Sequence, residues 1–255
     1  MSSLPRVPLP WPDELTPAAA RALQKQWRGR VQRHGRVDGI RWIAGVDVAF
    51  PAQGSRSRGA AVLFRYPDLV PVAGSLAELP TRFPYVPGLL SFRELPALLA
   101  ALSGLPQVPD MILVDGQGIA HPRRLGVASH LGVLLDRPTI GVAKSVLCGR
   151  YAEPDRASGS QSPLVHDGEV IGTVLRTRQN VRPVIVSCGH RVGLTEAVAL
   201  VQSCSRGYRL PEPTRLADKL AGANPGPWPL GEGVPIRCES TVDVAGAAQA
   251  PVPIR

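Results

Sequence analysis

The chain has 255 residues, 44% of them apolar, and a formal net charge of +9. That length suffices for one sizeable core and is marginal for two domains. No run of about 18 apolar residues points to a membrane span, and the opening MSSLPRVPLPWPDELTP lacks the basic-then-apolar order of a secretory signal, so a cytoplasmic protein is expected. The charge is carried by 26 arginines and only three lysines. Such an excess favours polyanionic partners, because neutralising phosphates releases counterions.

Residues 1–15 are proline-rich and read as an irregular extension. Thr16 before Pro17 suits an N-cap with proline at the first helical position, and Leu23, Trp27 and Val31 recur every four residues, so PAAARALQKQWRGRVQ is predicted to be a helix. Three apolar runs follow, at 42–50, 59–67 and 70–79, separated by short turns. They are expected to form an antiparallel meander. Residues 90–105 carry Leu95, Leu98, Leu99 and Leu102 at helical spacing, and Ser91 with Glu94 fits a capping box. A strand at 111–115, a helix near 123–135 and a strand at 138–145 come next. Strands at 168–177 and 182–190 and helices at 193–205 and 212–222 complete the pattern. This is an α/β arrangement, a mixed sheet with helices on its faces. From 223 to 255 the composition turns to Gly, Pro and Ala without periodicity, which predicts a disordered tail. The four cysteines are widely spaced, without a zinc pattern, and read as buried reduced thiols.

Two acids interrupt apolar strands: Asp47 in AGVDVAF and Asp115 in ILVDGQG. Burying an unpaired carboxylate is costly. If these strands are neighbours the carboxylates converge, and like charges at close range need a proton or a cation. Mg²⁺ suits such oxygens, and a metal so held can activate water against a phosphodiester. His121 lies six residues beyond Asp115 and titrates near neutrality unless it is bonded to backbone. Lys144 is a lone ammonium among arginines, suited to a phosphate or an attacking water, or else to guarding a sheet edge. In RFPYVPGLLSFRE, prolines flank Tyr85 and Val86 and stiffen a loop whose ring either packs beneath it or wedges into a duplex. No GxxxxGK[ST] phosphate loop occurs, which argues against an ATP-using phosphotransferase.

The blocks GVDVAF, PYVPGLLSFRE, ILVDGQGIAHPRRLGVASHLGVLLDRPTIGVAKS, VSCGHRVGLTEAVALV and GYRLPEPTRLAD, in this order, resemble the endonuclease V family over residues 15–222. The resemblance implies a ribonuclease H-like fold for a catalytic domain over 16–222. It also implies a Mg²⁺-dependent nick (Mn²⁺ able to substitute) at the second phosphodiester 3′ to deoxyinosine, leaving 5′-phosphate and 3′-hydroxyl ends. Carried over by motif, Asp47, Glu94 and Asp115 are the metal-binding carboxylates, and His121 stands near the metal or the scissile phosphate. Lys144 lies beside the nucleophile. Tyr85, Val86 and Pro87 form the wedge, while Gly88, Gly116 and Gly118 belong to the lesion pocket. Asp218 stands where the resemblance leads to a histidine, and either adds a metal ligand or leaves a proton-transfer role unfilled. The expected partner is DNA with deaminated bases, bound by a monomer, with Arg82, Arg123 and Arg124 as candidate phosphate contacts. Alternatives are an endoribonuclease for inosine in RNA and a non-catalytic binder of deaminated or distorted DNA.

Overall fold

The computed structural model describes residues 4, 7–35, 37–222, 230, 231 and 233–240. Among them, five helices and nine strands follow one another as α1 (Pro17–Trp27), β1 (Trp42–Ala49), β2 (Arg56–Arg65), β3 (Val70–Pro80), α2 (Leu90–Ser103), β4 (Met111–Val114), α3 (Val127–Leu135), β5 (Thr139–Ala143), β6 (Gln161–His166), β7 (Glu169–Leu175), β8 (Val184–His190), α4 (Leu194–Ser203), α5 (Glu212–Gly222) and β9 (Ile236–Ser240). Short 3₁₀ turns lie at Arg28–Arg30 and Ala52–Gly54. The strands form one sheet in the order β6-β7-β8-β5-β4-β1-β2-β3-β9. β1, β2 and β3 make the expected antiparallel meander, and β1, β4 and β5 run parallel at the centre.

Side-chain parity along the central strands builds the two larger cores, one on each face of the sheet. Ile43, Val62, Met111, Leu113, Ile140 and Val142 pack with α4 and α5 residues such as Ala197, Val201, Leu216 and Leu220. Ala44, Val46, Leu63, Ile112 and Val114 pack on the other face with α2 and α3, through Leu95, Leu98, Leu102 and Leu131. Successive strand residues point to opposite faces, so near-continuous apolar runs are what a sheet covered on both sides requires.

The structure corrects several expectations. Residues 4 and 7–15 are irregular as expected, but Leu4 is buried and Trp11 packs edge-on against Phe92, so these residues join the core instead of extending from it. The buried face of α1 is Ala20, Gln24 and Trp27, not the Leu23–Trp27–Val31 line. Thr16 does cap it, accepting from the Ala19 N–H at 3.2 Å. The capping box at Ser91 and Glu94 does not form: Leu89 is the N-cap of α2, Ser91 lies inside the helix with its hydroxyl on His130 Nδ1, and Glu94 is buried. β6 was not predicted. β9 falls within the stretch expected to be disordered and adds a parallel edge strand to β3, since its backbone groups find partners there. Residues 223–229, 232 and 241–255 of the predicted tail lie outside the described residues. Cys188 and Cys204 are buried thiols, Cys148 is half-buried and Cys238 is exposed. No helix among the described residues is long and apolar enough to cross a membrane.

Candidate active site

Parallel pairing of β1 with β4 sets Val46 opposite Val114, so the next residues, Asp47 and Asp115, emerge side by side at the carboxyl ends of adjacent strands. The Asp115 N–H donates to the Val46 carbonyl at 3.1 Å, which extends the ladder to that point. By parity both acids lie on the face of Ile43, Met111 and Leu113, the face covered by α5. Lys144, one residue past β5, shares the parity of Ile140 and Val142 and reaches the same place. α5 supplies Asp218 from above. Carboxylate oxygens of Asp47, Asp115 and Asp218 come within 4.8 Å of one another. The Lys144 ammonium lies 2.6 Å from Asp115 Oδ2 and 2.5 Å from Asp218 Oδ1. Glu94 approaches from α2, on the other face of the sheet, and lines the same cleft.

The electrostatics follow from this crowding. Burial, then the charge of Asp115, pushes the Asp47 carboxyl up to about 8, although the Val48 N–H bonds its Oδ1 at 2.8 Å. Burial also raises Asp115, against the hydrogen bond from Lys144. Glu94, buried, is raised well above its ordinary value by desolvation and then by the charges of Asp47 and Asp115. For Lys144, burial works against the charged form, but the bonds to Asp115 and Asp218 outweigh it and hold the ammonium charged. A cluster of hard oxygen donors that repel one another, with an ammonium drawn in between two of them, fits a divalent cation.

The cleft around these acids measures about 620 Å³. Its wall includes Tyr85, Val86, Pro87, Gly88, Gly116 and His121. Tyr85 is 70% exposed, so its ring stands clear of the core and does not pack beneath the loop. Gly88 adopts φ +76°, and with Pro87 before it and the Leu89 N–H on the Val86 carbonyl at 2.9 Å the segment closes as a tight turn that glycine suits.

Three expectations are revised. Gly118 does not line the cleft; its N–H is bonded to Ser187 Oγ at 2.9 Å, and a Cβ there would meet the Cys188 carbonyl oxygen at 2.0 Å, so glycine serves packing on β8. His121 accepts the Arg123 N–H at Nδ1 (3.1 Å) and donates from Nε2 to the Gly88 carbonyl (2.9 Å). Burial, against the Gly88 bond, lowers its pKa to about 4, so it is a neutral brace with both nitrogens engaged. The three arginines face protein groups: Arg82 pairs with Asp13, Arg123 binds Gln24 and Gly88, and Arg124 binds Glu169 and the His121 and His166 carbonyls. Sequence reasoning missed Gln24 and Gln117, both in the cleft wall. The only signal for Gln24 was an amide on the helix line of Ala20 and Trp27.

Acids gathered at the ends of parallel strands, beside an ammonium and below an exposed aromatic ring, are the equipment of a nuclease. The family model for endonuclease V matches residues 25–219, and the chain belongs to that family. It is 57% identical over 206 residues to the endonuclease V of Azotobacter vinelandii, covering 81% of this chain and 93% of that protein. The crystal structure of endonuclease V from Streptomyces avermitilis superposes with a TM-score of 0.78 at 45% identity, covering 86% of this chain and 96% of that one. A Ciona intestinalis endonuclease V, solved with a 23mer DNA containing an inosine followed by a ribo-adenosine, superposes with a TM-score of 0.70 at 26% identity, over 81% of this chain and 97% of that one.

Proposed function

We propose that this protein is a Mg²⁺-dependent DNA repair endonuclease that cuts the second phosphodiester bond 3′ to deoxyinosine. The observation that carries the reading is the convergence of Asp47, Asp115 and Asp218 within 4.8 Å in a cleft walled by the Tyr85–Gly88 loop. The inosine-containing DNA bound by the Ciona relative supports the choice of lesion.

Asp47, Asp115 and Asp218 would hold the cation, with Glu94 joining from α2; Mn²⁺ offers the same hard-acid chemistry. What such an ion supplies when bound is polarisation of the phosphodiester and a more acidic water. The water oxygen bonds to phosphorus, the bond to the 3′ oxygen breaks, and that oxygen takes up a proton, leaving 3′-hydroxyl and 5′-phosphate. Lys144 lies where its charge opposes the negative charge gathering on the phosphate. Tyr85 fills the gap in the stack when the lesion base swings out, and the turn at Gly88 and the backbone at Gly116 line the space that receives it. His121 holds that turn.

The test is nicking of an end-labelled duplex with one deoxyinosine, with and without Mg²⁺, beside a matched RNA carrying inosine. A Mg²⁺-dependent cut one nucleotide beyond the lesion in DNA is expected. A cut confined to RNA would reassign the substrate, and tight binding with no cut on either would leave a binder. Tyr85→Ala is expected to lower preference for the lesion duplex by about tenfold, as loss of one aromatic stacking contact implies, and the cutting rate at saturation by less. Equal loss in both would refute the wedge.

A further inference from the structure

Gln24 sits on α1, outside the acid cluster, yet it is 1% exposed and lies in the cleft wall. A buried amide must satisfy both ends. Its Nε2 donates to the Gly88 carbonyl at 3.0 Å and to the Leu125 carbonyl at 3.2 Å. Its Oε1 accepts from Arg123 Nε at 2.5 Å. The Gly88 carbonyl also receives Arg123 Nη2 at 2.6 Å and His121 Nε2 at 2.9 Å. Three side chains thus converge on one peptide oxygen, at the left-handed residue of the tight turn. Of the three, Gln24 is the one that also ties the Leu125 backbone, a second segment of the cleft wall.

We infer that Gln24 is a positioning residue for lesion recognition: its amide fixes the spacing between the Gly88 turn and the Leu125 segment, and so the width of the space that receives the base. The inference rests on the reading of this cleft as the lesion pocket. Its logic is geometric. The Gly88 carbonyl is held by three donors, and the 88–89 peptide cannot rotate while they hold it. None of these bonds touches Asp47, Asp115 or Lys144. Loosening them therefore widens the pocket without disturbing the acids, and selectivity is lost before chemistry.

Gln24→Met keeps length and volume and removes all three bonds. Gln24→Glu keeps the acceptor for Arg123 but sets a carboxylate against two carbonyls. Each is compared with the parent protein in two ways: by the ratio of Kd for a duplex with deoxyadenosine to Kd for the same duplex with deoxyinosine, in EDTA, and by kcat and KM for nicking in Mg²⁺. Loss of the two bonds to the Gly88 and Leu125 carbonyls, common to both variants, predicts a selectivity ratio about tenfold lower and KM about tenfold higher in each, with kcat less affected. If either folded variant melts at a lower temperature but keeps the parental ratio and KM, Gln24 is only a packing residue and the inference fails. Should Gln24→Met not fold, Gln24→Glu decides alone by the same criterion. If the parent protein itself shows no preference for deoxyinosine, the lesion-pocket reading fails first, before any variant is made, and the inference falls with it.

Discussion

Asp115 carries charge where the surrounding structure disfavours it. Burial raises its pKa, Asp47 and Asp218 crowd it, and Lys144, with a smaller contribution from the Arg209 charge, offsets part of the cost. A group held against its own stability is what a site poised for a cation contains. Asp115→Ala is therefore expected to lower nicking by about a hundredfold or more while duplex affinity stays within about threefold, because the residue acts on the reacting phosphate and not on the flanking backbone. In EDTA the same variant should melt no lower than the parent protein, since it removes repulsion. Near-parental nicking would overturn its assignment. His130 makes stability depend on pH. It is enclosed by Trp11, Trp27 and Phe92, and burial lowers its pKa to about 3. The unfolded chain takes up a proton near 6.5 that the native one refuses, so this contribution is complete above about 6.5 and is lost as pH falls towards 3. The buried acids, raised in the fold, shift stability the other way over part of that range, so the comparison must be with a variant. His130→Phe removes the titration, and the parent protein should melt progressively lower relative to it below about pH 6.5, by about 1.4 kcal/mol per pH unit. Thermal melts from pH 7 to 4.5 check this; a constant gap would show that His130 does not titrate between the two states.

At the level of elements, what could be read from the chain depended on how much each segment buries. The meander and the central strands are apolar on both faces and were legible as runs. Asp47 and Asp115 were legible because a charge inside such a run demands a partner, and the resemblance by motif pointed to Glu94, Lys144 and the Tyr85–Gly88 loop in the same cleft wall, but not to Gln24 or Gln117. β6 was not legible: QSPLVH buries only Leu164 fully, and Pro163 argues against a strand except near an edge. Ser91 and Glu94 have the spacing of a cap, but one is drawn to His130 and the other into the cleft, a tertiary demand that local pattern cannot foresee. IRCES, the sequence of β9, alternates Ile236 and Cys238 with polar residues over only five positions, too short a pattern to read in a Gly- and Pro-rich stretch, and it is a strand because β3 offers it an edge. Ile236 and Val234 also lean on the core beneath α5. A chain ending at Gly233 should lose that edge cover and melt about 5 °C lower, while retaining nicking at 25 °C, since nothing in residues 234–240 lines the cleft. An unchanged melting temperature would mean that β9 adds nothing to the sheet's stability.

Across the whole molecule, the proposed function assigns charge and lesion recognition to different groups. The net charge is +9, yet Arg123 and Arg124 beside the cleft are spent on carbonyls, an amide and a carboxylate, and Arg82 on Asp13. On the proposed function, attraction to a duplex would fall to the other arginines of the surface, whereas the space that would receive a base is lined by neutral groups: Tyr85, Val86, Gly88, Gly116 and an uncharged His121. Phosphate neutralisation responds to salt, and contacts with an extruded base do so far less. Affinity measured between about 50 and 200 mM salt should fall steeply for any duplex, with a slope of log K against log salt near about −5 if five or six phosphates are neutralised. The preference for deoxyinosine over deoxyadenosine should stay within about twofold over the same range, because both duplexes present the same phosphates and differ only in the pocket. Fluorescence anisotropy on the two duplexes in parallel measures both quantities. A preference that collapses along with affinity would place discrimination in backbone contacts to a distorted duplex, and would move attention from the Gly88 turn to the arginines around it.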